Sequence, residues 1–336
     1  MKTIFQQMKN RLSAGEALML VSITAASGAV PRGAGAHMLV GSGGRICGTI
    51  GGGEVEHRCE LAAVQALKEG KSLQDEFVLR RDDVKDLGMI CGGAVSVLFH
   101  YMPAGDEEHI ALAGRALELM AAGRGLWMLS DLQQEGKLSL YTREEGYFGR
   151  SWPQWVTESF SSRTGRLQQE GEDLCVQQIN SPGRVYIFGG GHVSRELEPV
   201  LSHVGFRCVV LEDRVEFADR KFFPTAEDVK LIDFTRIGDY ISIGKDDYVC
   251  VMTRGHAWDT VVQAQILRCA PCYVGVIGSR SKAAAVRKAL AEDYGLTEEE
   301  LDRITTPIGL SIGAETPEEI AISIAAQMIQ HRAALR

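Results

Sequence analysis

From Arg184 onward, short apolar runs alternate with amphipathic stretches. RVYIFGG (184–190), RCVVLED (207–213), YVCVMT (248–253) and YVGVIGS (273–279) read as strands with apolar side chains on both faces. Parallel strands covered on both sides need that pattern. HVSRELEPVLSHVG (192–205), Thr260–Arg268, Lys282–Glu292 and Glu318–Arg332 read as helices. The last follows Thr316-Pro317, and proline suits a first helical turn. The alternation predicts a doubly wound α/β domain with a parallel sheet.

The N-terminal part has a different rhythm. Strands are expected at Leu18–Thr24, His37–Val40, Arg45–Gly48, Glu76–Arg80 and Val95–Tyr101, with GSGG (41–44) as a hairpin turn. A helix should run from Gly53 to about Lys68, with Val55, Leu61, Ala62, Ala66 and Leu67 for its buried side, and stop at Gly70. This is an α+β pattern. The middle stretch holds a helix (Glu107–Ala121) and apolar strands at 125–132 and 137–143. The polar run RTGRLQQEGED (163–173) reads as a loop or linker. The expected division is residues 1–103, a middle segment 104–182, and 183–336.

Composition narrows the classes. The chain has 336 residues, 45% hydrophobic and 24% charged, as in a soluble globular protein. No apolar run approaches the roughly 18 residues of a membrane span. The N-terminal MKTIFQQMKNRLSAGE has no apolar signal region, so a cytoplasmic protein without an integral membrane part is expected. A net charge of −8 with scattered basic residues argues against nucleic-acid binding. Eight cysteines in such a chain are expected as free thiols.

Two glycine triplets carry the candidate chemistry. In VYIFGGGHVSREL (185–197), Gly189, Gly191 and Ser194 fall on the G-x-G-x-x-small spacing of a Rossmann-like dinucleotide fold. Glu212 and Asp213 end the next strand, 23 and 24 residues after Gly189, where an acid holds a ribose. NAD is one possible ligand, and a scaffold that binds no dinucleotide is the other reading. His192, Thr253, Arg254, His256, Asp259, Ser279, Arg280 and Lys282 follow strand ends, where such sheets bind ligands. Their cations and histidines suit an anion. In CGTIGGGEVEH (47–57), Gly51, Gly52 and Gly53 lack the Lys-Ser/Thr of a P-loop. A phosphate cradle and a tight backbone crossing both remain open there, and Glu54 and Glu56 oppose an anion. Pro31-Arg32-Gly33 could supply a cation. Cys91 precedes Gly92-Gly93 and is either a ligand-facing thiol or a small buried hydrophobe. Cys269-Ala-Pro-Cys272 lacks the second pair a zinc site needs. No catalytic triad, His-Glu-x-x-His or paired-carboxylate signature stands out.

Taken together, the motifs resemble the xanthine dehydrogenase accessory factor (XdhC/CoxI) family. The matching pieces are SGAVPRGAGAHMLV (27–40), GRICGTIGGGEVE (44–56), CGGAVSVLF (91–99), VYIFGGGHVSREL (185–197), VVLEDR (209–214), VMTRGHAWD (251–259), YVGVIGSRSK (273–282) and PIGLSIGAETPEEIAISIAAQMI (307–329). They occur in family order and span nearly the whole chain. The resemblance implies a chaperone that binds molybdenum cofactor, as molybdopterin or its cytidine dinucleotide. It would support sulfuration by a cysteine desulfurase and deliver the cofactor to a molybdenum hydroxylase client. A homodimer is implied as well.

The implied cofactor-binding set is Gly51, Gly52, Gly53, Cys91, Gly92, Gly189, Gly191, His192, Asp213, His256, Ser279 and Arg280, with the Cys91 thiol toward the metal or its sulfur. Two departures stand out. Glu54 stands where some family branches carry cysteine, and Arg254 replaces a histidine of a common Thr-His-Asp-His. The alternatives are an NAD(P)-dependent oxidoreductase using the C-terminal domain, and an adaptor that touches only partner proteins.

Overall fold

Strand β1 (Leu18–Gly28) opens with an apolar run that needs cover on both faces. Leu18 and Leu20 join one core, while Met19, Val21 and Ile23 join another. The computed structural model describes every residue except 79–92, 134–136, 162–163, 181–182 and 335–336. The chain forms two units, Met1–Ser181 and Pro182–Arg336.

In the first unit, β1 pairs within a sheet with β2 (His37–Gly41), β3 (Gly44–Thr49), β4 (Leu73–Val78) and β5 (Gly93–Met102). The order is β3-β2-β1-β5-β4, and all neighbours are antiparallel. Helix α1 (Lys2–Ser13) buries Ile4, Phe5, Met8 and Leu12, spaced along one helical face. They meet α3 (Glu107–Ala121) and the Leu18–Leu20 side of the sheet. That core continues into a second antiparallel sheet. It is built from β6 (Leu126–Asp131), β7 (Leu138–Thr142), β8 (Gly146–Phe148), β9 (Gly165–Gln169) and β10 (Glu172–Asn180), in the order β8-β7-β6-β10-β9. A short helix, α4 (Gln154–Glu158), precedes β9.

Helix α2 (Gly53–Glu69) covers the other face of the first sheet and ends at Gly70 in a left-handed cap, as expected. Its buried residues are Val55, Glu56, Cys59, Ala63 and Ala66. Leu61, expected on that side, is 58% exposed. The reason lies at Glu56: a buried carboxylate turns the helix so that its line of small residues faces the sheet.

The polar run 163–173 is also not a linker: β9 and β10 form a hairpin across it. Glu170 and Gly171 both take positive φ, the backbone of a two-residue turn that matches strand twist. One face of β9 is solvated, so its strand carries little apolar signal.

The second unit holds six parallel strands: β11 (Val185–Phe188), β12 (Cys208–Glu212), β13 (Asp228–Leu231), β14 (Tyr248–Val251), β15 (Tyr273–Val276) and β16 (Ile304–Thr305). Their order is β13-β12-β11-β14-β15-β16, the doubly wound arrangement. Strands β13 and β16 lie at the edges and are partly polar, which hides them in the sequence. Val185 and Ile187 pack under α5 (His192–His203) and α9 (Pro317–Ala334). Tyr186 and Phe188 pack under α6 (His256–Ile266) and α7 (Arg280–Tyr294). A short α8 (Glu298–Leu301) follows.

Phe188 is fully buried in a central strand, and its ring lies tilted against that of Phe234 at 6.0 Å between centroids. Phe188→Ala should lower the stability of the C-terminal unit by about 3–5 kcal/mol. Urea denaturation followed by circular dichroism reads the change, and a loss under ~1 kcal/mol would contradict this packing.

Candidate functional site

Strand order reverses between β11 and β14, and such a switch point is where open α/β sheets bind ligands beyond the strand ends. Strand β11 delivers Gly189–Gly191 to this rim and opens α5 directly. Gly189 has φ +107°, and a Cβ there would stand 2.3 Å from the Met252 carbonyl oxygen. At Gly190 a Cβ would come within 2.9 Å of the Phe217 carbonyl oxygen. At Gly191 a Cβ would meet nothing within 4 Å. The first two glycines are therefore demanded by the protein, and only Gly191 faces open space. It forms the N-terminal cap of α5, with no side chain bonded to the helix end. The amides and dipole of that end favour an anion.

The two acids at the end of β12, Glu212 and Asp213, have separate fates. Glu212 is 1% exposed. Its carboxylate accepts from the Gly190 amide at 2.7 Å, from the Asp213 and Arg214 amides at 3.1 and 3.2 Å, and from the Arg214 guanidinium at 2.9 and 3.0 Å. Burial works against its charge, but the Arg214 side chain and the Gly190 amide outweigh burial and hold the carboxyl down at about 2. Glu212 therefore serves the protein. Asp213 is the acid left for a ligand, pushed upward by burial and by its charged neighbour. Arg254 reaches it from the end of β14, with Nη2 3.4 Å from Oδ2.

Beyond β14, Thr253 donates its hydroxyl to Asp259 Oδ1 at 2.5 Å. Asp259 is fully buried and forms an ion pair with Lys282 of α7. Ser279 caps α7 by accepting from the Lys282 amide. His192 and Arg280 are the exposed first residues of α5 and α7, and Arg280 has no ion-pair partner among the described residues. His256 begins α6. The rim thus gathers Gly189, Gly191, His192, Asp213, His256, Ser279 and Arg280 at the same end of one sheet, as the sequence suggested. The internal bonding of Glu212 was not visible there. Its one signal was the Arg two positions on, in LEDR.

The first unit carries the other triplet. Gly51, Gly52 and Gly53 have φ of +130°, +75° and +65°. A Cβ on Gly51 would approach Pro31 Cβ at 2.9 Å, so Gly51 accommodates a close crossing of two chain segments. Glu56 fills the loop from within. Its carboxylate accepts from the Ile50 and Gly52 amides at 2.9 and 3.1 Å, from Arg45 at 2.6 Å, and from the Thr49 hydroxyl. Burial opposes its charge, yet these donors keep its carboxyl below the usual range. Gly52 faces open space on the side of a missing Cβ. Cys91 and Gly92 lie outside the described residues. Among the described residues, no three His, Cys, Asp or Glu stand together to hold a metal ion.

Elsewhere in the first unit His37 is buried between Ser22 Oγ at 2.8 Å and Gln177 Oε1 at 2.5 Å, and burial brings it down to about 4. It stays neutral and ties β2 to β10. The thiol of Cys272 is pushed up to about 12 by burial, which removes it as a nucleophile at neutral pH.

A glycine-loop α/β unit with its own second unit is thus the class that fold and site define. Residues 185–328 match the XdhC Rossmann domain, and residues 11–80 match the XdhC and CoxI family. The chain belongs to the XdhC/CoxI family.

Among its relatives, a protein of Bacillus subtilis named as a probable xanthine dehydrogenase subunit is 24% identical over 94% of each chain. The molybdenum cofactor insertion chaperone PaoD of Escherichia coli is 20% identical over 98% of this chain and 88% of its own. The uncharacterised protein YqeB of Escherichia coli is 25% identical, and this chain spans 43% of its length. A solved structure titled a xanthine dehydrogenase from Bacillus halodurans superposes with a TM-score of 0.77 at 24% identity, covering 99% of this chain and 96% of that one. That likeness speaks for the fold.

Two outcomes check this geometry. Gly189→Ala should destabilise the protein by at least about 1 kcal/mol, because neither its φ nor its space admits a side chain. Gly191→Ala should stay within about 1 kcal/mol of wild type. Thermal melts of the pair decide, and equal melting points would refute the division of roles.

The second outcome concerns pH. A carboxyl held low in the folded state adds stability above its unfolded value of about 4.3, lost as pH falls toward about 2. Glu212→Gln should therefore be less stable than wild type at pH 7 and show a shallower loss between pH 4.5 and 2. Parallel curves in acid titrations of the two proteins would contradict it.

Proposed function

We propose that this chain is an accessory chaperone for a molybdenum hydroxylase of the xanthine dehydrogenase type. It binds molybdenum cofactor, supports sulfuration by a cysteine desulfurase and hands the cofactor to the client enzyme. The observation that carries the reading is the pairing of both family domains in one chain, together with full-length similarity to a named molybdenum cofactor insertion chaperone.

The residues present fit a phosphate-bearing pterin. Gly191 is open, the α5 end is uncapped, and Arg254 and Arg280 stand exposed on the same rim. Gly191 and the start of α5 with His192 would hold the phosphate, Arg254 and Arg280 would neutralise it, and Asp213 would take hydroxyl or amine donors. Cys91, by its motif, is the proposed thiol for the metal or its sulfur. The bound group supplies the molybdenum chemistry, and this chain's part is to bind it and protect it until transfer. A nicotinamide dinucleotide competes for the same positions, since Gly189, Gly191 and Asp213 also occupy the dinucleotide pattern.

The test is anaerobic equilibrium binding of molybdenum cofactor to the full chain, with NAD and CTP as competitors. Affinity of about micromolar or better is expected, at least about tenfold weaker in Gly191→Ala and weakened in Cys91→Ala. Absence of cofactor binding, with saturable NAD binding instead, would replace this reading by the oxidoreductase one.

A further inference from the structure

A cavity of about 130 Å³ lies in the second unit, beside the switch point and not in it. It is bordered by the end of β15, by α6, α7 and α8, and by β16, and it opens to solvent. Val276, Val286, Leu301 and Ile304 make it largely apolar. An apolar cavity of about 150 Å³ holds one benzene. This one therefore admits a single six-membered ring, with any further part of the ligand outside.

The cavity is not wholly apolar: Lys282 lines it with its side chain 19% exposed, and Asp259 backs Lys282 as its buried counter-ion. The two lie against each other without the alignment of a hydrogen bond at Asp259 Oδ2. Thr253 fixes the other carboxylate oxygen, and the Lys282 stem packs over Gly278, where a Cβ would touch Cδ at 2.9 Å. A buried ion pair gives a fold little net stability. Here it holds an ammonium, with three donors, at the wall of a one-ring apolar space.

We infer that this cavity is a binding subsite for a planar six-membered ring bearing a carbonyl oxygen, which accepts a hydrogen bond from Lys282. Asp259 and Thr253 act as positioning residues for that ammonium. The carbonyl can come from the pyrimidinone ring of a pterin or from the carboxamide of a nicotinamide. Only the pterin source rests on the carrier reading above.

The experiment titrates the full chain with 2-amino-4-oxopteridine, with NAD, and with quinoxaline as a flat bicycle lacking a carbonyl. Three proteins are compared: wild type, Lys282→Met, and Ala284→Trp. Ala284 lines the cavity from an exposed position on α7, so a large side chain there blocks it without disturbing the core. Either the pteridine or NAD should saturate wild type at least about tenfold more tightly than quinoxaline, and both variants should lose about tenfold or more. Which of the two binds identifies the source.

Binding of neither, equal binding of quinoxaline, or unchanged binding in a folded Ala284→Trp would overturn the subsite. Molybdenum cofactor binding at wild-type strength in Ala284→Trp would reject the pterin source and leave the chaperone reading standing. Failure of that cofactor to bind wild type, with NAD bound and weakened by the variants, would reject the chaperone reading and leave the subsite standing with nicotinamide as its source.

Discussion

A buried glutamate carboxylate fastened to a glycine loop sets the geometry of each unit. Taking a carboxylate out of water is tolerable only when its oxygens are filled with donors. Glu212 is filled by the Gly190, Asp213 and Arg214 amides and by the Arg214 guanidinium. Glu56 is filled by Thr49, Ile50, Gly52 and Arg45. In both, one glycine amide donates inward to the protein's own anion. The loops are thereby fixed before any ligand arrives, and a ligand that meets them has little ordering to impose.

That internal use also decides which glycines are left. Gly189 and Gly190 are consumed by neighbouring carbonyls, and Gly51 by the crossing at Pro31. Gly191 and Gly52 remain open, one in each unit. In the C-terminal unit the open glycine heads a twelve-residue helix with no side-chain cap. In the N-terminal unit Gly52 already gives its amide to Glu56. The electrostatic case for an anion is therefore much stronger at Gly191, although the two triplets look alike as sequence.

The fold was largely legible because the buried strands of the second unit have no polar face to blur their period. The N-terminal strands were legible because their apolar runs are bounded by glycine turns. What escaped had one face in water or lay at an edge: β9, β13 and β16. The exposure of Leu61 escaped because pattern reading assigns leucine inward and glutamate outward, and a charge saturated with hydrogen bonds reverses that at Glu56. At the candidate site the rim residues were readable from strand ends. The split between Glu212 and Asp213 was not, since adjacent acids are equivalent until a fold points one of them at an amide.

The cations of the rim differ in freedom, and this follows from burial. Arg254 is 53% exposed and meets Asp213 at 3.4 Å, a pair of the kind that contributes ~1 kcal/mol or less. An anion can therefore take this guanidinium from Asp213 at small cost, which also releases Asp213 for a donor. Lys282 cannot leave Asp259 so cheaply, because a fully buried carboxylate would lose its counter-ion. One cation is thus free to follow a ligand and the other is fixed as part of a wall, so the rim combines an adjustable charge with a rigid one.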